Sequence, residues 1–74
     1  IQFSLFKTGL AEIRIYDLAG QVVKTYPRQS LKPGEYRLVW QGDNDAGKPV
    51  ASGIYFCVMQ FAGNRQILKM QIIR

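Results

Sequence analysis

Apolar and polar residues alternate with a period of two along most of this chain, the spacing of strands that bury one face. Ala11, Ile13 and Ile15 fall on one side of a segment running to Leu18, with Glu12, Arg14 and Tyr16 on the other. Glu35 to Trp40 repeats the pattern and predicts Tyr36, Leu38 and Trp40 as core positions. Ile1 to Leu5 is a shorter alternating run, expected as an edge strand. Gly53 to Phe61 is apolar on both faces, which predicts a central strand and leaves its second face as a docking surface or a face covered by other chain. Arg65 to Ile73 forms the last strand, with faces the pattern does not separate.

Turn chemistry punctuates these runs. Phe6 to Leu10 should turn, and Asp17, Leu18, Ala19 and Gly20 predict a tight hairpin closed by the Asp17 carboxylate. A strand from Val22 should end near Tyr26, because Pro27 cannot donate to a ladder. Pro33 and Gly34 predict a type II turn, and Ala62, Gly63 and Asn64 another turn. The segment Trp40 to Phe56 joins two apolar strands through the longest irregular connection, with Val50 and Ala51 as a candidate bridge or bulge. Six or seven short strands with no helix-period segment predict an all-β fold: a small antiparallel immunoglobulin-like β-sandwich of about seven strands.

At 74 residues the chain makes one domain, and a chain of this size buries only roughly 60 to 65 % of its unfolded surface. Cys57 has no partner for a bridge and histidine is absent, so close packing of the branched and aromatic side chains, or support from another domain or partner, must hold the fold together. Within IYFCVMQF, Cys57 reads as a small buried hydrophobe. The formal charge is +5, but the ten basic residues are spaced singly, which predicts a solvated surface and no nucleic-acid partner. No run of 18 or more apolar residues predicts a membrane span. Beginning in strand-like sequence without an initiator Met, the chain reads as a C-terminal fragment of a longer protein.

No catalytic constellation is present. Without histidine, zinc clusters and histidine-based triads are ruled out, and a working pair among Glu12, Asp17, Glu35, Asp43 and Asp45 would need to face across a cleft for which a domain of this size has little room. Asp43, Asn44, Asp45 and Gly47 resemble an oxygen-rich calcium loop, but the fifth, sixth and twelfth positions hold Gly47, Lys48 and Ile54 where an EF-hand needs an acid or Asn, Gly and Glu. Asx-type hydrogen bonds within the loop are the simpler expectation. Tyr16, Tyr26, Tyr36, Trp40, Tyr55 and Phe56 are either core or, as the competing reading, a sugar-stacking platform. No cofactor is expected.

The run IRIYDLAGQVV, then LKPGEYRLVWQGDNDAGKPVASGIYFCVM, then the terminal RQILKMQIIR resembles the type A C-terminal sorting domain of the bacterial type IX secretion system. Its middle part is also similar to the immunoglobulin-like domain of the flagellar hook-capping protein. The matching positions are Tyr16, Asp17 and Gly20, then Gly34 to Trp40, then Gly42, Asp45, Gly47, Ser52, Gly53, Tyr55 and Lys69. The resemblance implies a non-catalytic domain behind an upstream cargo domain, read by the outer-membrane secretion machinery and cut by a sorting peptidase. It implies passage through the periplasm to the medium or cell surface, with the signal in Lys69, Met70, Gln71, Ile72, Ile73 and Arg74. A passive structural or ligand-binding module of an extracellular hydrolase, or a hook-capping domain, is the alternative.

Overall fold

The computed structural model describes residues 2–74, so Ile1, expected to open the first strand, lies outside the described residues. Six strands and no helix are found among them: β1 Gln2–Leu5, β2 Gly9–Asp17, β3 Val22–Leu31, β4 Gly34–Arg37, β5 Gly53–Phe61 and β6 Asn64–Ile72. They form two antiparallel sheets, a four-stranded one in the order β3-β2-β5-β6 and a two-stranded one pairing β1 with β4. The all-β sandwich is therefore present with six strands in place of about seven.

The core lies where the alternation places it. Ile13, Ile15, Tyr55 and Cys57 are its buried centre, Ile15 being fully inaccessible. Leu38, Trp40, Val50 and Phe3 close over them from the opposite side, while Met59, Met70 and Ile72 extend the same face of the large sheet. Tyr36, Leu38 and Trp40 all turn inward as half-buried residues between exposed neighbours. The ladder itself is shorter than the pattern: β4 ends at Arg37, and Leu38 to Trp40 keep the alternation beyond the end of the strand. Alternation reports which face is buried, whether or not the backbone is in a sheet.

Several local expectations change. β3 does not stop at Tyr26 but runs through Pro27 to Leu31. Ile13 pairs Tyr26 while Ala11 pairs Gln29, so Pro27 and Arg28 both sit opposite Glu12 in a bulge. Because β3 is an edge strand, the missing proline N–H costs no ladder bond that the sheet needs. Gly34 has φ 153 and opens β4, far from the value of about +80° that a type II turn requires. The isolated bridge in the long connection joins Asp43 to Pro49, not Val50 or Ala51. β2 already starts at Gly9, which has ordinary φ; an added Cβ there would lie 3.0 Å from the Phe61 ring, so this glycine makes room for an aromatic.

The two hairpins behave as their residues dictate. Asp17 accepts from the Gly20 N–H at 3.0 Å through its carbonyl and from the Gln21 N–H at 2.9 Å through its carboxylate. Between β5 and β6 a two-residue loop places Ala62 at φ 50 and Gly63 at φ 82, the signs of a type I′ turn. Ala62 occupies the position where asparagine is favoured.

Candidate functional site: the β6 strand and its anchored end

β6 is the strand that carries the expected signal residues, and its place in the sheet decides what each can do. Among the described residues it pairs only with β5, in an unbroken register from Phe61–Asn64 to Gly53–Ile72. Strand alternation then separates the faces that the sequence left ambiguous. Met70 and Ile72 pack on the core, Lys69 and Gln71 stand on the outer face beside Phe56 and Ile54, and Ile73 is 81 % exposed beyond the strand end. Ile67 and Leu68 are also exposed, at 59 % and 49 %. Ile67 lies on the outer face with Lys69 and Gln71, and Leu68 on the core face with Met70, so each face of the strand leaves an apolar side chain that another protein can cover.

Arg74 is held differently from the residues before it. Its backbone N–H donates to the Ser52 hydroxyl at 2.9 Å. Its guanidinium donates from Nε to the Val50 carbonyl and from Nη2 to the Gly42 carbonyl, each at 2.6 Å. The planar fork of arginine suits two carbonyls presented side by side. Gly42 makes this possible: it lies at φ 71, and a Cβ there would be only 2.8 Å from the Arg74 Nη2. The expected signal residues thus divide into two inward anchors, three outward side chains and one clamp.

The long connection does structural work throughout. Trp40 donates from Nε1 to the Asp43 carbonyl at 2.8 Å and meets the Tyr55 ring edge-on at 5.2 Å. Tyr55 donates its hydroxyl to the Ala51 carbonyl at 2.7 Å. The Asn44 side chain accepts from the N–H groups of Ala46 and Lys48, both at 3.0 Å, and Gly47, φ 78, completes that turn. The Asp43 carboxylate pairs with the Lys24 ammonium at 3.1 Å. Asp45 straps the loop to β3, donating its N–H to the Val23 carbonyl and accepting the Thr25 N–H on its carboxylate. Both carboxylates of the calcium-like motif are thereby committed to protein partners, and no group of three potential metal ligands occurs among the described residues.

The aromatic residues do not assemble into one platform. Trp40, Tyr55 and Tyr26 belong to the core, Phe3 stacks on Tyr36 at 5.4 Å between the small sheet's strands, and Tyr16 lies opposite Phe56 on the outer face of the large sheet. Burial raises the Tyr26 hydroxyl above its ordinary pKa, with the Asp43 carboxylate adding to it. Burial likewise pushes the Cys57 thiol up, which keeps it protonated and unreactive. Glu12 is engaged on the outer face by Arg14 at 2.6 Å and Arg28 at 3.1 Å. No helix of the described residues is long and apolar enough to cross a membrane.

A family model described as the FlgD Ig-like domain matches residues 8–64, from just before β2 to the first residue of β6. This chain belongs to the FlgD Ig-like domain family. No curated protein and no solved structure matches the chain significantly. The FlgD Ig-like match takes in β2 to β5 and the long connection, and hence Tyr16, Asp17, Gly20, Gly34, Trp40, Gly42, Asp45, Gly47, Gly53 and Tyr55. Lys69 to Arg74 lie outside the matched FlgD Ig-like segment. Arg74 was legible only as part of a terminal run; nothing in the sequence pattern signals its pairing with Gly42 and Val50.

Proposed function

We propose that this FlgD Ig-like domain is a non-catalytic C-terminal sorting domain, which directs an attached upstream cargo through the outer membrane by the type IX secretion system. The placement of β6 carries this reading. Its outer face and end present Lys69, Gln71 and Ile73 to solvent on a strand with a free edge, while Met70, Ile72 and Arg74 fix it to the rest of the domain. A receptor can therefore read the outward residues without unfolding the sandwich. The secretion machinery and its sorting peptidase are the partners, and the route runs through the periplasm to the medium or cell surface.

Deleting Lys69 to Arg74 would remove the last four of the nine paired residues of β6, with the Arg74 clamp, and confound export with folding. The test therefore uses Lys69→Glu with Ile73→Ser in a cargo fusion, with circular dichroism of the purified domain confirming the fold. Loss of export with an intact fold is expected. Full export and surface attachment of the double variant would overturn the proposal. They would favour the second reading, a passive immunoglobulin-like module such as a hook-capping domain, which draws its support from a family match that ends where β6 begins.

A further inference from the structure

The hydrogen-bond phase of β6 decides which of its residues can accept another strand. The two-residue loop at Ala62 and Gly63 makes Phe61 and Asn64 a hydrogen-bonded pair, and in an antiparallel ladder such pairs alternate with unbonded ones. Gln66, Leu68, Met70 and Ile72 therefore also direct their N–H and C=O groups at β5. Arg65, Ile67, Lys69 and Gln71 turn theirs to the open side. The side chains of these four stand on the outer face, and every residue from Asn64 to Lys69 is exposed. Main chain able to pair and a row of side chains reading Arg, Ile, Lys thus belong to the same residues. Among the described residues, the ion-paired carboxylates of Glu12 and Asp43 hold Arg14, Arg28 and Lys24, and neither holds Arg65 or Lys69.

We propose that β6 takes an added antiparallel strand from a partner protein, a strand with two acidic residues four apart and β-branched residues between them. Residues directly opposite in an antiparallel pair share a face. One acid then meets Lys69 and the other Arg65 on the outer face, with a branched residue between them against Ile67. On the other face, the residue after the first acid covers Leu68, which is 49 % exposed. A second copy of this chain cannot supply such a strand: its edge strands β1, β3, β4 and β6 contain one acidic residue between them, Glu35. A second β6 would also bring its own Arg65 and Lys69 directly opposite or diagonal to these cations, which is destabilising. The proposal rests on the sorting reading for where the strand is met, on the secretion machinery, and on β6 alone for the chemistry of strand addition.

The probe is the end-capped synthetic peptide Thr-Glu-Val-Val-Thr-Glu-Thr, of a common strand length. It is titrated into the isotope-labelled 74-residue chain and followed by amide shifts and amide exchange. Binding should slow exchange at Arg65, Ile67 and Lys69 and leave Asn64, Gln66 and Leu68, already bonded to β5, unchanged. A methyl group on the nitrogen of the second valine, which faces β6, should abolish binding; on the nitrogen of the first valine, which faces away, it should not. Arg65 is exposed and lies outside Lys69 to Arg74. Arg65→Glu should therefore fold normally, weaken the peptide about fivefold through loss and reversal of an exposed ion pair, and tighten a peptide carrying lysines in place of the glutamates. Absence of binding would overturn the proposal. So would equal binding of the glutamate and lysine peptides, indifference to which valine is methylated, or slowed exchange confined to β1 or β3. The export assay separates the two readings. Lost export in the Lys69→Glu, Ile73→Ser fusion without peptide binding overturns the added strand and keeps the sorting reading; peptide binding with full export does the reverse.

Discussion

Gly42→Ala gives the sharpest test of how the end of β6 is held. The new methyl group meets the Arg74 Nη2 at 2.8 Å and the Ile72 side chain at 3.7 Å, on a backbone at φ 71. An alanine at positive φ costs roughly 1–2 kcal/mol. Displacing the guanidinium forfeits two charge-assisted bonds, which at this exposed position amount together to about 1 kcal/mol, well below the buried-pair value. Gly42→Ala alone should therefore cost about 2–3 kcal/mol, and Arg74→Ala alone about 1 kcal/mol. Once Arg74 is truncated the methyl group has no guanidinium to displace. The double variant should then cost about as much as Gly42→Ala alone, leaving an interaction of about 1 kcal/mol. Urea unfolding followed by far-ultraviolet circular dichroism resolves this for a domain whose stability is on the order of 5 kcal/mol. Additive effects, within about 0.3 kcal/mol, would show that Gly42 and Arg74 act separately and that the clamp contributes nothing.

Three further perturbations follow from the core, a turn and a thiol. Trp40→Ala loses a half-buried indole, its bond to Asp43 and its contact with Tyr55, and should cost about 3 kcal/mol in the same urea assay; a loss below about 1 kcal/mol would place the indole outside the core. Ala62→Asn puts the preferred residue at φ 50 of the β5–β6 turn and should stabilise the domain by about 0.5–1 kcal/mol, read as a raised urea midpoint. For Cys57, burial holds the folded-state thiol above its unfolded value; the folded state keeps its proton more tightly, so this contribution is complete below the ordinary thiol pKa and is lost as pH rises through the raised one. Stability measured from pH 7 upward should fall more steeply for the native chain than for Cys57→Ala, and thiol reagents should label Cys57 only at the rate of unfolding.

The large sheet was legible because its strongest strands state their faces: Ala11, Ile13 and Ile15 are buried and Arg14 is exposed, as their alternation requires. The central position of β5 followed from apolar residues on both faces. Pro27 misled because the rule against proline in a ladder weakens at an edge bulge, and nothing local reveals that β3 is an edge. The faces of Arg65 to Ile72 depended on register with β5, which the sequence does not state. For the candidate site, the composition of the terminal run was visible, but the separation of outward Lys69 and Gln71 from inward Met70 and Ile72 needed that register. The Arg74 clamp joins residues 24 and 32 positions apart, a distance over which no periodicity operates.

The bulge at Pro27 and the Asp45 strap also govern assembly. A sheet can lengthen only where it offers an unpaired edge, and on the four-stranded sheet the β3 side is bent at one point and occupied by a loop at another. Among the described residues, β6 is the edge of this sheet that remains open to another molecule. Two copies joined edge to edge at β6 would make a continuous sheet with a blocked β3 at both ends, and a third copy would find no place to add. Lateral growth of this sheet is thus limited to a pair, a safeguard against fibre formation for a sheet with exposed isoleucine and leucine on its open edge strand.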